Sequence, residues 1–279
     1  MSESILKDVG KIIDEALGLK NCEIGKEPHY KHKTSCRKLS VLPPPTFDAT
    51  ALIMKIYAQV ESNWKEGANY KPSTENWRFE PRTNIDASNE DPEIKLERAI
   101  VRTQTQSHAN WANQTPTSSG FVGPHADKHR NIDLIHRGGD GAYEFIELKV
   151  NSDTPLYAAM EILQNAVLYI FSRENERKME WGSAKQKLLR EATVIHLRVL
   201  APCSYYEGYI LEWLEVNICN GLRAFLAGRT PKLKMDFRFD AFPTWFSSDH
   251  AKAICKDVSK EQADSIRMAV DNRRPVYSA

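Results

Sequence analysis

Two spacings of apolar residues organise this chain of 279 residues. Apolar side chains recurring every three to four positions predict helices, and alternating ones predict strands. Residues 1 to 20 follow the first rule, with Ile5, Val9, Ile12, Ile13, Ala16 and Leu17 on one face. After a polar, basic connection and three prolines, Asp48 is set to cap a second helix running to about residue 64. Residues 65 to 90 are rich in Asn, Ser, Pro and charge. They predict an extended connection with at most a short strand from Trp77 to Phe79, and hence a boundary near residue 90.

From Asp91 the punctuation sharpens. Asp91 is an N-cap, Pro92 takes the first helical position, and Ile94, Leu96, Ile100 and Val101 supply the apolar positions of a helix. A loop containing "TPTSSG" leads to a short strand expected at Gly120 to Gly123, then to two strands within "NIDLIHRGGDGAYEFIELKV", residues 131 to 150. "PLYAAMEILQNAVLYIFSR" (155 to 173) predicts a helix, "ATVIHLRVLAPC" a strand, "LEWLEVNICNGLRAFLAG" a helix ended by Gly228, and "KLKMDFRFDAF" a strand. The order is that of an α/β fold in which a mixed sheet is flanked by helices. Three regions follow: a helical N-terminal extension (1–90), a core (91–245) and a C-terminal helical segment (246–279).

Composition adds limits. With 41% hydrophobic residues the chain can bury a sizeable core, and it contains no apolar run long enough to span a bilayer. Its first residues alternate charge with apolar side chains where a signal peptide needs an unbroken apolar stretch, so a cytoplasmic protein with no membrane partner is expected. Five scattered cysteines are odd in number and read as free thiols. The net charge of +1 means that an anionic partner must be met by local patches. Three are legible: residues 26 to 38, residues 125 to 137, and the stretches Arg223 to Arg238 and Arg267 to Arg274. Cys22, His29, His32 and Cys36 match no common zinc spacing and read as part of a basic loop. The aromatic run "SYYEGYILEW" (204 to 213) reads as core or interface, and "RGGDG" as a turn.

The chemistry lies in the hairpin. On its second strand Ile146, Leu148 and Val150 alternate with Glu147 and Lys149, so the two charged residues share the opposite face. A five-residue loop at 138 to 142 sets Asp133 directly across from Glu147, and a three-residue loop sets the two diagonally. Either brings two carboxylates together, where they repel unless a cation lies between them. Hard carboxylate oxygens suit Mg²⁺, for which Mn²⁺ can substitute. A lysine beside such a metal can hold a water or steady negative charge growing on phosphorus, which is phosphodiester chemistry.

Asp133, thirteen intervening residues and then Glu147-Leu148-Lys149 at a strand end resembles the motif of the PD-(D/E)XK nuclease superfamily. The resemblance covers roughly residues 91 to 245, and it implies a restriction-endonuclease-like core and a Mg²⁺-dependent endonuclease acting on DNA, with RNA as the alternative substrate. It also implies that Asp133, Glu147 and the main-chain carbonyl of Leu148 hold the metal and that Lys149 positions or activates the water. A Glu on the first core helix completes many such sites; Glu97 fits best and Glu93 is second choice. Gln164 takes the position of a Gln found on the helix after the motif, and Glu161 lies on its face. Two departures stand out: Ile132 replaces the Pro before Asp133, and Leu168 stands where one branch has Tyr, with Tyr169 one residue late. Lys128, His129 and Arg130 run directly into Asp133 and are expected to guide the nucleic-acid backbone. A non-catalytic nucleic-acid-binding or assembly module is the remaining alternative. Restriction, anti-phage defence or repair would suit such a nuclease, and the N-terminal helices are expected to cover the core or to form a homodimer interface or specificity element.

Overall fold

The computed structural model describes residues 4–19, 28–67, 70–85, 90–105, 110–123, 130–181 and 186–277. Its centre is a mixed six-stranded sheet in the order β1 (Trp111–Pro116), β2 (Asn131–Arg137), β3 (Ala142–Leu148), β4 (Val194–Ala201), β5 (Lys234–Ala241) and β6 (Arg274–Pro275). β1, β2 and β3 form an antiparallel meander, β3, β4 and β5 run parallel, and the two-residue β6 is antiparallel to β5.

Local chemistry explains the elements beside the hairpin. Asp91 accepts the Glu93 N–H at 2.9 Å and opens α4 (Pro92–Thr105), which precedes the sheet. Thr154 accepts the Tyr157 N–H and Pro155 occupies the first position of α5 (Pro155–Glu174), the crossover from β3 to β4. α5 is buried on nearly every side. The crossover from β4 to β5 contains α7 (Glu212–Ala227), and the short α6 (Lys187–Glu191) leads into β4. The 138–142 loop is the five-residue form, with Gly138 N–H donating to the Ala142 carbonyl at 2.8 Å and Gly141 at φ 76°. Leu134 pairs with Ile146, and the same register sets Asp133 opposite Glu147.

Each sheet face has its own apolar layer. Ile135 and Phe145 pack with α5 and with the N-terminal helices α1 (Val9–Ala16) and α3 (Ala49–Glu66). On the other face, Leu134, Ile146, Leu148 and Leu200 meet Leu96 and Ile100 of α4 and Ile266 and Ala269 of α9 (Lys260–Asp271), with α8 (Ser248–Lys252) alongside. The N-terminal apolar faces named from the sequence are covered within the chain. Ile5, Val9, Ile13, Ile53, Ile56 and Val60 are fully buried, each contributing ~1.5–3 kcal/mol. Asn63 ties them down by donating to the carbonyls of Ile5 and Lys7, and Asp14 accepts the N–H groups of His29 and Tyr30.

Four sequence expectations change, the first being the basic loop through His32 and Cys36, where Lys33–Val41 instead forms a helix that buries Cys36. The first helix is shorter than residues 1 to 20: it starts at Val9 because Asp8 takes a left-handed φ of 65°. Gly120 to Gly123 is a turn, and the first strand is instead β1 at Trp111–Pro116. Trp77 to Phe79 is not a strand either, since Trp77 adopts φ 60° and sinks its ring into the core, where Nε1 donates to Ser172 Oγ at 3.0 Å. The segment around it lies along β1 through side-chain and main-chain bonds: Asn113 donates to the Arg82 carbonyl, Thr115 to the Arg78 carbonyl, and Trp77 N–H to the Pro116 carbonyl. At the far side of the sheet, the Phe237 and Phe239 N–H groups of β5 are met by Cys219 Sγ and Glu215 Oε2 of α7. Among the described residues no helix is long and apolar enough to cross a membrane.

Candidate active site

The hairpin's charged face opens into a cleft of about 220 Å³ between the first half of α4 and the first half of α5. Asp133 Oδ2 accepts the Leu148 N–H at 2.8 Å, which pins the carboxylate across the two strands. Glu147 is 2% exposed and Lys149 6% exposed. Lys149 Nζ lies 2.7 Å from Glu147 Oε1 and 3.3 Å from Glu161 Oε2 of α5. Glu97 of α4 is buried and its Oε1 accepts from Asn113 Nδ2 at 2.7 Å. Glu147, Glu161 and Asp133 thus act on one buried ammonium group, and Glu97 lies beside Asp133.

This crowding decides the protonation of the metal-free site. Burial first, and the neighbouring carboxylate of Asp133 second, push Glu97 and Glu147 well above the usual carboxylate range. Asp133, half-buried at the floor of the cleft, is raised by the same desolvation to about 7, with Lys149 and the Leu148 N–H pulling the other way. Burial would lower Lys149, but Glu147, Glu161 and Asp133 more than reverse it, so the side chain stays cationic. Glu161 is lowered: burial raises it, and Lys149 outweighs that. Glu147 Oε2 is buried and meets no hydrogen-bond donor. Crowded by Asp133 and Glu161, this carboxyl either keeps a proton or calls for a cation.

The chain matches no protein-family model, no curated protein and no solved structure. What the cleft can do therefore follows from its own residues. Among the described residues, no three His, Cys, Asp or Glu side chains are arranged to hold a metal as they stand. The Lys149 ammonium occupies one oxygen of Glu147. The donor chemistry nonetheless fits a hard divalent ion, which needs only one or two carboxylates with water completing its shell. Asp133 and Glu147 face each other, and the second supplies the orphaned oxygen.

Asp133, Glu147, Leu148, Lys149, Glu97 and Arg130 all line the cleft. Lys128 and His129 lie outside the described residues. Glu93 also reaches the cleft wall, but its Oε1 accepts the Val150 N–H at 2.9 Å and the Ser152 hydroxyl at 2.6 Å, so it braces the chain leaving β3. Gln164 does not join the lining. Its amide donates to the Met160 carbonyl one turn back in α5, and Glu161 and Asn165 face the cleft instead. Asn113 escaped the sequence reading because β1 itself did. Glu161 carried a signal, an acidic residue on a helix otherwise apolar almost throughout.

Proposed function

We propose that the chain is a divalent-metal-dependent nuclease with a restriction-endonuclease-like core, hydrolysing DNA phosphodiester bonds. The observation that carries this reading is Asp133 facing Glu147 across the hairpin with Lys149 one pleat on, all three in one polar cleft. The element order supports it as well: a helix, an antiparallel three-stranded meander, a helix and a parallel strand, as the PD-(D/E)XK resemblance implies.

Asp133, Glu147 and the Leu148 carbonyl would hold Mg²⁺ or Mn²⁺, which when bound supplies Lewis acidity toward a phosphodiester oxygen. The protein residues do the rest. Lys149, held cationic by its carboxylate neighbours, donates a hydrogen bond and orients a water; it does not accept a proton. Glu97, fixed by Asn113 behind Asp133, would add negative charge only when a cation in the cleft offsets the crowding that otherwise favours its protonated form. Arg130 at the rim carries the charge to anchor a phosphate. Hydrolysis then adds water across one P–O bond, leaving a phosphate on one fragment and a hydroxyl on the other.

The test is incubation of the full chain with supercoiled plasmid, linear DNA and labelled RNA in Mg²⁺ or Mn²⁺, alongside Glu147→Gln and Lys149→Ala. Cleavage of DNA by the wild type alone is expected. Equal cleavage by all three proteins, or none by the wild type, overturns the proposal, and cleavage confined to RNA moves the substrate.

A further inference from the structure

Residues 28 to 41 contain His29, Lys31, His32, Lys33, Arg37 and Lys38 and no acidic residue. In the sequence this is one basic stretch among three, more than ninety residues from the hairpin motif. The fold brings it to the cleft. Tyr30 is buried and stacks on Tyr157 of α5 with ring centres 5.9 Å apart, and Asp14 holds its main chain through two N–H groups. Lys31 Nζ lies 5.0 Å from the centre of the Tyr157 ring, and Lys149 Nζ lies 5.9 Å from the same centre. The two ammonium groups can be no farther apart than those lengths laid end to end.

From Lys31 the chain enters α2 (Lys33–Val41), which buries Cys36 and Leu39 and leaves Lys33, Arg37 and Lys38 exposed. Lys33 and Arg37 are one turn apart and share a face. A helix of nine residues is about 13 Å long, the span of roughly four phosphates on one strand of a duplex. Lys31 and the helix that follows it together make a run of positive charge that begins one side chain from Lys149. The protein's near-neutral net charge makes such a run a local feature and not a general one.

We propose that Lys31 and the exposed face of α2, with Lys33, Arg37 and Lys38, form the surface that holds the DNA backbone as it enters the cleft, an inference that rests on the nuclease reading above. The N-terminal region then supplies substrate contact directly, through phosphate and not through bases.

Binding can be read apart from turnover. In EDTA, fluorescence anisotropy of the full chain with a labelled duplex of about 30 base pairs is followed as salt rises from about 50 to 200 mM. The triple variant Lys33→Ala/Arg37→Ala/Lys38→Ala is compared with Arg223→Ala/Lys232→Ala/Lys234→Ala, which removes equal charge from exposed positions elsewhere. The α2 variant is expected to raise Kd tenfold or more at low salt and to cut the salt slope by about two to three, at ~0.9 for each phosphate left without its cation. The control variant is expected to change Kd less than about threefold. Wild-type affinity in the α2 variant, or equal weakening in both, overturns the proposal. If the wild type cleaves while the α2 variant binds normally, the backbone surface falls and the nuclease reading stands. Binding that depends on α2 without cleavage by the wild type removes the nuclease reading and keeps the surface.

Discussion

Lys149 Nζ sits 2.7 Å from Glu147 Oε1, two residues along the same strand end, and both side chains are almost sealed from solvent. Their contributions to stability have opposite signs. Lys149 is the cation that Glu147, Glu161 and Asp133 share, so Lys149→Met should cost ~3–5 kcal/mol at pH 8 in EDTA, as expected for a buried charge left unpaired. Glu147→Gln removes one of several crowded carboxylates and should leave stability level or raised. Urea denaturation of both variants checks this. A loss of several kcal/mol in Glu147→Gln would mean that the pair is a structural ion pair and not a metal-ready site.

Divalent metal should stabilise the folded chain by mass action. Mn²⁺ at about a hundred times its Kd should add ~2.7 kcal/mol to the wild type and nothing measurable to Asp133→Asn or Glu147→Gln. Thermal melts with and without Mn²⁺ measure the difference. Equal shifts in all three proteins would place the ion elsewhere.

Glu97 and Glu93 should differ in kind. Glu97→Gln keeps an acceptor for Asn113 and loses only the capacity to ionise when a cation binds, so cleavage should fall about tenfold, ~1.4 kcal/mol in the barrier. Glu93→Ala strands the Val150 N–H, while the exposed Ser152 hydroxyl turns to water, and should cost stability, ~1–3 kcal/mol. Cleavage rates and urea midpoints on the same samples separate the two roles.

Acid stability should depend on Glu144, on the sheet face away from α5. Burial would raise this carboxyl, but His136 at 2.8 Å and Arg273 at 2.6 Å more than reverse it and lower it from 4.5 to about 2. Its stabilisation is therefore complete above about pH 5 and is lost as pH falls from there toward 2. Relative to wild type, Glu144→Gln should be less stable by ~2 kcal/mol at pH 7, with the gap closing in that acid window. A gap independent of pH between 2 and 7 would exclude the mechanism.

A chain starting at Asp91 should not fold. It would lack Ile53, Ile56, Val60 and Trp77, all of which are buried against the rest of the molecule. Circular dichroism should show no cooperative melt for the truncated chain and a sharp one for the full chain. A cooperative transition in both would make residues 1 to 90 a separable unit.

Much of this arrangement could be read from the residues. α4, α5 and α7 carry caps or stops together with helical spacing, and β2 to β5 carry β-branched and alternating residues, so the motif strands followed, with the five-residue loop as one of two registers left open. β1 could not be found that way. Its Asn113 and Thr115 are polar yet buried, because they bond to the main chain of Arg82 and Arg78, a partnership about thirty-five residues away that no local pattern records. The site's helical side was blurred for another reason. α5 is enclosed nearly all round, so no polar stripe marked which turn faces the cleft, and Glu161 with Asn165, not Gln164, proved to do so.

The side-chain bonds that cover the outer strands limit how this protein can associate. Along β1 the Pro116 carbonyl meets the Trp77 N–H and the Gln114 carbonyl meets the Arg78 guanidinium, and Pro116 closes the strand without an N–H. Along β5, Cys219, Glu215 and the short β6 with Pro275 do the same. An unsatisfied edge is where proteins add strands from a neighbour, whether into a continuous dimer sheet or into a fibre. Here part of each border is already answered from within, so a neighbour's strand has fewer open groups to pair with, and contact through helices and loops is favoured over strand stacking.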